Sequence, residues 1–304
     1  MNFRSTVLAT ATALSLGATA SLAQAADVSP ASTPATAPAL SLKVYNADSR
    51  SFNVNSTLIY GEKEAMVIDA GFTRADALRI AAQVLDSGRT LRTIYVSQAD
   101  PDYYFGVETL KQIFPQAEVL STPAVLAKLA PKMAGKLAFW GPKMGANAPS
   151  QPVLPRAIEG NTLTLDGQTI EIRGTQGLLA HRPYAWIPSI KAIVGNIAVV
   201  GQMHVWTADT QSVAERAAWV AQLDEMAALK PAQVVPGHMA AGTPLDASAI
   251  RFTKDYLLSF EKNLAAHTQS ADLIAAMKKA YPNLSEGALS LDIGAKVNTG
   301  EMKW

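Results

Sequence analysis

The chain of 304 residues contains no cysteine. Disulfides, thiolate metal ligands and a cysteine nucleophile are therefore excluded, and stability has to come from the hydrophobic core. The formal net charge is only +1 and no basic run creates a local positive field, so no nucleic-acid partner is expected. Charged residues make up 17% of the chain and hydrophobic residues 49%, which is typical of a globular protein with one large core.

The N-terminal 25 residues are typical of an export signal. Arg4 supplies positive charge, residues 7–22 are apolar or small, and Ala23-Gln24-Ala25 fits the usual cleavage pattern. A transmembrane anchor is the alternative, but the apolar stretch is short and is interrupted by Thr, Ser and Gly. We therefore predict a signal peptide over residues 1–25 and a periplasmic or secreted protein.

The remaining chain divides into a tether and one folded domain. Residues 26–41 are rich in Pro, Ala, Ser and Thr, a composition that cannot offset the entropy of ordering. We expect this segment to be disordered and residues 42–304 to form the domain. No segment after the signal is long and apolar enough to span a membrane, so no transmembrane segment is expected once the signal is removed.

Strand patterns followed by helical patterns occur in both halves of the domain. In the first half, strands are predicted at Met66–Asp69 and Thr93–Ser97, each before a helix. The second half opens with a hairpin around Asp166-Gly167, a residue pair that favours positive φ, and returns to a helix over Gln211–Leu229. Two halves that each contain strands followed by a helix predict two sheets packed face to face with helices outside. This arrangement is a four-layer αββα sandwich.

The halves are joined by residues 136–155, which contain Phe139, Trp140, four prolines and two glycines. This composition predicts a long loop. Long loops in compact domains often act as lids, although an aromatic pair in a loop also packs onto the fold for structural reasons alone.

Four short motifs occur in an order and at a rough spacing that resemble those of metallo-β-lactamase-fold hydrolases, over Leu42 to Ala266. The motifs are Val67-Ile68-Asp69-Ala70-Gly71, Val96 to Gly106, Val194-Gly195-Asn196 and Val235-Pro236-Gly237-His238. The resemblance implies the αββα fold. It also implies a site in which a His-x-His-x-Asp-His segment, a third His, a bridging Asp and a final His bind two metals that activate a water molecule.

The first of these ligand segments is altered in this chain. Gln98 stands at the position of the first His, Asp100 at the second and Tyr103 at the last. Asp102 alone matches the family pattern.

The other ligand positions are altered in part. Asn196 occupies the position of the bridging Asp, which removes the negative charge that would hold two cations together. His238 matches the final His. The remaining His would fall near Leu178, so His181 is displaced from it.

The candidate metal ligands are therefore Asp100, Asp102, His238 and His181, with the phenol of Tyr103 as a further candidate. This set argues against a pair of zinc ions, and we expect at most one divalent metal. Because most donors are oxygens, Mn, Fe, Mg or Ca would suit the set as well as Zn.

A metal-free site is the other possibility. Asp100 and Asp102 would then share a pocket without a neutralising cation, so one of them should have a raised pKa and act as a general base. The catalytic candidates are accordingly Asp100, Asp102, His238 and Tyr103. A different interpretation makes Asp102 the N-cap of a helix that begins near Phe105.

Further side chains are expected to line the pocket. Gln98 and Asn196 are neutral and could hydrogen-bond the carboxylates. His204 and Trp206 follow the strand that carries Asn196, and a similar His-x-Trp segment faces the groove in some members of the superfamily. Asp69 matches an Asp that supports the metal loop by hydrogen bonding. By contrast, we interpret Asp209 as a helix N-cap.

Two functions fit these observations. The first is an exported hydrolase with an atypical site, holding one metal or none, that acts on a small ester, amide, lactone or phosphate. The second is a non-catalytic periplasmic binding protein that retains the groove. Both predict a small-molecule ligand, and the sequence leaves open whether the protein is an enzyme.

Overall fold

The computed structural model describes residues 39–304. The predicted signal peptide and most of the predicted tether lie outside these residues. The end of the tether segment belongs to the fold, because Leu40 is buried in the core and the first strand begins at Ser41. None of the helices in residues 39–304 combines the length and the apolar character needed to cross a membrane.

The first half of the domain is a six-stranded sheet in the order β1-β2-β3-β4-β5-β6. Strands β1 to β3 are antiparallel and β3 to β6 are parallel. The strands are β1 (Ser41–Asn46), β2 (Asn55–Tyr60), β3 (Glu64–Ile68), β4 (Thr90–Tyr95), β5 (Glu118–Ser121) and β6 (Arg156–Ala157). The helices are α1 (Arg74–Ser87), α2 (Pro101–Tyr104), α3 (Val107–Ile113), α4 (Pro123–Leu129) and α5 (Met133–Met144).

The second half contains a five-stranded sheet in the order β12-β10-β9-β8-β7, and a short parallel pair, β11 with β13. The strands are β7 (Thr162–Leu165), β8 (Gln168–Arg173), β9 (Tyr184–Ile187), β10 (Ala192–Val194), β11 (Val200–Gly201), β12 (Gln233–Val234) and β13 (His238–Met239). The helices are α6 (Val213–Ala228), α7 (Ser248–Ala266), α8 (Ser270–Ala280) and α9 (Ala288–Asn298).

The two sheets face each other across a shared apolar core. Met66 and Ile68 of the first sheet belong to the same buried cluster as Ile170 and Ile187 of the second. A second cluster packs α1 and α3 on the outer face of the first sheet, and a third packs α6 to α9 against the second. The predicted four-layer αββα sandwich is confirmed.

The predicted loop over residues 136–155 is wrong for its first half, because α5 continues to Met144. Pro142 lies near the end of that helix. The sequence offers two glycines and a proline against helix formation, but Trp140 packs edge-on against Phe52 and Phe72, with ring centroids 5.5 and 5.3 Å apart. Tertiary packing thus outweighs the weak local propensity.

Two predicted N-caps are also wrong. Asp102 lies inside the first turn of α2, which begins at Pro101 and is preceded by Asp100. Asp209 does not cap α6, since Ser212 does so and forms a reciprocal capping box with Glu215. The stronger Ser-x-x-Glu signal lies three residues further along the chain.

The extended chain is interrupted between β10, which ends at Val194, and β11, which begins at Val200. Gly195 has a φ of +56°, and Asn196 follows it where the chain leaves the sheet. A Cβ at Gly195 would lie 2.5 Å from Ile68, so only glycine allows the chain to turn this close to the first sheet. The interruption places Asn196 at the sheet edge, near the ends of β3 and β4.

Asp76 joins three segments on the first sheet. Its carboxylate accepts hydrogen bonds from the hydroxyls of Tyr45, Ser51 and Thr73, each at 2.6 Å. Burial alone would raise the pKa of Asp76, but the hydrogen bonds from Ser51, Thr73 and Tyr45 outweigh it and lower the pKa.

We expect Asp76→Ala to lower the free energy of unfolding by about 1–3 kcal/mol, because it leaves buried donors without an acceptor. Urea unfolding at pH 7 measures the loss. Since the folded-state pKa is depressed, this contribution is present above the unfolded pKa of about 3.9 and is lost as the pH falls through the folded value. Asp86→Ala, at an exposed position of the same helix, is the control, and equal losses in both variants would contradict the assignment.

Candidate functional site

The sequence-predicted site residues converge where several strands end. Asp69 follows β3, Gln98 and Asp100 follow β4, and Asn196 follows β10. His238 is the first residue of β13. The site therefore lies at one edge of the sandwich and takes residues from both halves.

Asp102 and His238 form the closest pair of ionisable groups at this edge. Asp102 Oδ2 lies 3.4 Å from His238 Nε2, and the two side chains are 9% and 17% exposed. His238 Nδ1 lies 2.8 Å from the carbonyl oxygen of Phe52. Because a carbonyl only accepts, Nδ1 carries the proton, and Nε2 of the neutral ring faces the carboxylate as an acceptor. The pair therefore has room for one shared proton.

Burial shifts both members of this pair towards their neutral forms. It raises the pKa of Asp102 to about 7, and it lowers the pKa of His238. Near pH 7 the imidazole is therefore neutral, and the carboxyl group of Asp102 is close to half-protonated. A group that titrates near the working pH suits general acid–base chemistry.

Asp100 lines the same cavity but is more open. Its side chain is 38% exposed, and Oδ1 lies 4.0 Å from Lys136 Nζ. Burial and the negative charges of Asp209 and Asp102 raise its pKa. The two aspartates that were predicted to share a pocket therefore both border one cavity.

The other altered positions are occupied by hydrogen bonds within the protein. Gln98 Nε2 donates to the carbonyl of Pro183 at 2.9 Å. Asn196 Nδ2 donates to the carbonyl of Val235 at 2.9 Å, and its Oδ1 accepts from the amide of Val199 at 2.8 Å. These amides hold the loops together, so neither side chain points at the cavity as a free group.

Tyr103 packs edge-on against His238, with ring centroids 5.6 Å apart, but it does so from the core side. Its side chain is fully buried, and its hydroxyl donates to the carbonyl of Asn196 at 3.2 Å. Burial raises its pKa well above the ordinary value. Tyr103 is therefore a neutral hydrogen-bond donor in the core and does not line the cavity.

His181 is not brought to the site. It lies among Arg182, Lys128, Asp209 and Glu215, and burial lowers its pKa. The cavity wall does not include it. In the sequence, His181 lies beyond the expected ligand position near Leu178. In the structure it is accordingly separated from His238.

Arg182 is a residue that the sequence analysis missed. It is 95% buried, since its exposed fraction is 5%, and its guanidinium carbon lies 4.2 Å above the Trp219 ring. Its Nε and Nη1 have no acceptor among the described residues. Burial lowers the pKa of Arg182, whereas the nearby carboxylates of Asp209 and Asp100 raise it and so favour the charged form. A fixed positive charge thus lies behind the cavity.

The loop that carries Gln98 is held from below by Asp69. The buried Asp69 carboxylate accepts from the amide of Ser97 at 2.8 Å and from its hydroxyl at 2.7 Å. Burial raises the pKa of Asp69 to about 8, although both hydrogen bonds from Ser97 lower it. Asp69 thus supports the loop by hydrogen bonding and does not reach the cavity.

His204 and Trp206 both border the cavity. His204 Nδ1 lies 3.0 Å from the hydroxyl of Tyr256, and burial lowers its pKa. Trp206 Nε1 donates to Asp209 at 2.5 Å. Asp209, interpreted from the sequence as a cap, is instead a hydrogen-bond acceptor at the cavity wall.

The cavity has a volume of about 590 Å³. It is bordered largely by aromatic and aliphatic side chains from distant parts of the chain, together with a few polar groups that include Asp102 and His238. Such a composition is typical of sites for small organic ligands. The principal apolar side chains are Phe52, Phe72, Phe139, Trp140, Ile197, Met203, Trp206, Leu289, Ile293 and Trp304.

The residues at this edge do not fit a metal pair. Among residues 39–304, no three His, Asp or Glu side chains come close enough together to hold an ion. Of the four candidate ligands, only Asp102 and His238 meet. The amides at two further ligand positions are hydrogen-bonded to backbone groups, and the guanidinium of Arg182 adds a positive charge nearby. The geometry therefore offers two ligands where the family pattern needs several.

Comparison with known proteins shows which family and which folds the chain resembles. A family model described as the metallo-β-lactamase superfamily matches residues 50–188. A metallo-β-lactamase family protein from Thermus thermophilus aligns with a TM-score of 0.57 at 15% identity, over 86% of this chain and 91% of that one. A β-lactamase domain protein from Burkholderia ambifaria aligns with a TM-score of 0.56 at 13% identity, over 82% and 81%.

A metallo-β-lactamase from Pontibacter korlensis also aligns, with a TM-score of 0.52 at 15% identity, over 72% of this chain and 95% of that one. A search of curated proteins finds no match. The fold is therefore that of the metallo-β-lactamase hydrolases, as the motifs predicted. Residues 50–188 match the model of this superfamily, and the ligand positions of the family pattern are altered in this chain as described.

We expect the protein, purified without chelator, to contain well below one equivalent of Zn, Mn or Fe by elemental analysis. Two side chains are too few to retain such an ion through purification. EDTA should leave the thermal unfolding midpoint unchanged. His238→Gln is the matched variant, and a full equivalent of metal in the unaltered protein that disappears in this variant would contradict the description of the site.

Proposed function

We propose that the protein hydrolyses a small, mostly apolar ester or lactone without a metal, using Asp102 and His238 as its acid–base pair. One observation carries the proposal: these two groups face each other at 3.4 Å in the wall of an aromatic-lined cavity. The composition of residues 1–25 supports export as part of the same proposal.

The cavity supports this substrate class by its shape and its charge. Its volume of about 590 Å³ suits a small organic molecule, and most of its wall is apolar. The ionisable groups of the wall, apart from two histidines, are four carboxyl side chains and one lysine. This excess of negative charge disfavours a phosphate substrate. Of the ester, amide and lactone that remain from the sequence, we propose the ester or lactone, because an alkoxide is a better leaving group than an amide nitrogen.

The pair can move one proton in each direction. With Asp102 ionised and His238 neutral, the pair accepts a proton from a water molecule as the water oxygen bonds to the substrate carbonyl carbon. The proton then passes to the departing alkoxide oxygen when the bond from that oxygen to the carbonyl carbon breaks. The Phe52 carbonyl fixes the imidazole orientation throughout, because it holds Nδ1–H at 2.8 Å.

Binding without catalysis is the second candidate. The observation that favours it is that Oδ2 of Asp102 and Nε2 of His238 face each other at 3.4 Å, so each already has a neighbour within the protein. The amides of Gln98 and Asn196 are likewise used inside the protein. A protein of this kind would hold the same apolar ligand and release it unchanged.

Asp102→Asn and His238→Gln test the first candidate. Each keeps the size of the side chain and removes its ability to exchange the proton, so we expect hydrolysis of p-nitrophenyl butyrate to fall by about 10²–10⁴-fold. His267→Gln, which is remote from the cavity wall, should keep full activity. Unaltered protein that hydrolyses the ester no faster than His238→Gln would leave only the binding candidate.

The pH profile gives a separate prediction. Because burial raises the pKa of Asp102 to about 7 and lowers that of His238, the proton-accepting form of the pair is populated as the pH rises through about 7. We expect kcat/KM to increase with pH with one apparent pKa near that value, which belongs to the pair. A profile that is flat from pH 5.5 to 8.5 in the unaltered protein would contradict the role of the pair.

A further inference from the structure

Two tryptophans of the cavity wall share one carboxylate. Trp206 Nε1 donates to Asp209 Oδ2 at 2.5 Å, and Trp304 Nε1 donates to Asp209 Oδ1 at 2.7 Å. The indole rings meet edge to face, with centroids 5.0 Å apart and an interplanar angle of 69°. All three residues border the cavity. Asp209 thus fixes the orientation of two electron-rich ring faces at the wall.

Trp304 reaches this position through a segment that is anchored elsewhere. The Glu301 carboxylate accepts from the amide and the hydroxyl of Ser270, at 2.7 and 2.6 Å, and the Met302 amide donates to the carbonyl of Lys296 at 3.0 Å. Beyond these contacts the Trp304 side chain is 55% exposed. Its place in the wall therefore depends on Asp209 and Trp206, so the indole can be removed without disturbing the core.

The charges of the wall indicate what these rings face. The acidic residues are Asp100, Asp102, Asp209 and Glu286, and Lys136 is the one lysine. Lys136 lies beside Asp100, and the proton of the Asp102 pair is shared with His238. Among the described residues, no lysine, arginine or histidine lies within 4.0 Å of the Asp209 carboxylate; the buried Arg182 interacts with it only at longer range.

A carboxylate that accepts both indole N–H groups leaves the ring faces more negative. A cation over a tryptophan face is stabilised by about 0.5–2 kcal/mol, most strongly where water is excluded. A ligand whose charge is delocalised over carbon atoms also keeps favourable contact with the apolar wall. An alkylammonium group meets both conditions, whereas an anion would meet the carboxylates of Asp100, Asp209 and Glu286.

We propose that Trp206, Trp304 and Asp209 form a subsite for the alkylammonium group of the ligand. When the ligand is also the substrate, an assignment that rests on the proposed function, the ester carries the alkylammonium group and the Asp102–His238 pair acts on its carbonyl. Trp206 and Trp304 are then the specificity-determining residues, and Asp209 is the residue that positions them.

Choline and 3,3-dimethylbutanol test the subsite, because they share one shape and differ only by the positive charge. Neither is hydrolysed, so titration calorimetry and tryptophan fluorescence report binding without any need for turnover. We expect the unaltered protein to bind choline about tenfold more tightly. Trp304→Ala and Asp209→Asn should reduce this preference to less than about threefold, whereas Lys303→Ala, in the same segment but outside the wall, should retain it.

Equal or tighter binding of 3,3-dimethylbutanol, or no binding of choline, would overturn the subsite. A tenfold preference that survives in both Trp304→Ala and Asp209→Asn would do the same. Hydrolysis of the two acetate esters is measured separately. Selective binding of choline without hydrolysis of either ester would defeat the proposed hydrolysis and leave the subsite standing, and equal hydrolysis of both esters without selective binding would do the reverse.

Discussion

The hydrogen bond between His238 Nδ1 and the Phe52 carbonyl is the constraint on which the site depends. It fixes the tautomer of the imidazole, and so it decides that Nε2 faces Asp102 as an acceptor. The backbone enforces this contact, since the amide of Asn55 donates to the carbonyl of Gly237 and the amide of Met239 donates to that of Asn53. The first and second halves of the fold are thus joined at His238.

Glycine at position 237 makes that junction possible. A Cβ there would lie 2.0 Å from the carbonyl oxygen of Asn196 and 2.7 Å from the hydroxyl of Tyr103. The close approach brings β13 against the end of β10 and seats His238 at the cavity. A larger residue would have to push these loops apart. The position of the imidazole therefore requires glycine at position 237.

The altered ligand positions form a consistent set. Where the family pattern has charged or metal-binding side chains, this chain has Gln98 and Asn196, whose amides bind backbone groups, and Tyr103, whose hydroxyl does the same. Buried neutral groups that are hydrogen-bonded to the backbone stabilise the loops without a cation. The two remaining groups, Asp102 and His238, face each other at 3.4 Å and have room for one proton between them. The superfamily fold is retained, while the interactions that hold its loops together have changed.

The sequence predicted those features of the fold that depend on residues close together in the chain. The Asp166-Gly167 turn, with φ of 45° and 75°, follows from the preferences of those two residues, and the alternation of strand and helix predicted the layers. The sequence misplaced Asp209, because Asp fits a helix cap and the competing Ser212 signal lies only three residues away. The features that failed were those that depend on distant contacts. Trp140 stabilises α5 against Phe52 and Phe72, and no periodicity within residues 136–155 reports that contact. Arg182 likewise belongs to no motif that would draw attention to it.

The tautomer of His238 is the most direct test of the arrangement of the Asp102–His238 pair. Long-range ¹H–¹⁵N correlation spectra of ¹⁵N-histidine-labelled protein at pH 8 distinguish a protonated ring nitrogen from an acceptor and from one bound to a metal. We predict protonated Nδ1 and unprotonated, metal-free Nε2, with Nε2 changing shift in Asp102→Asn. Protonated Nε2, or a metal-bound shift at either nitrogen, would contradict the account.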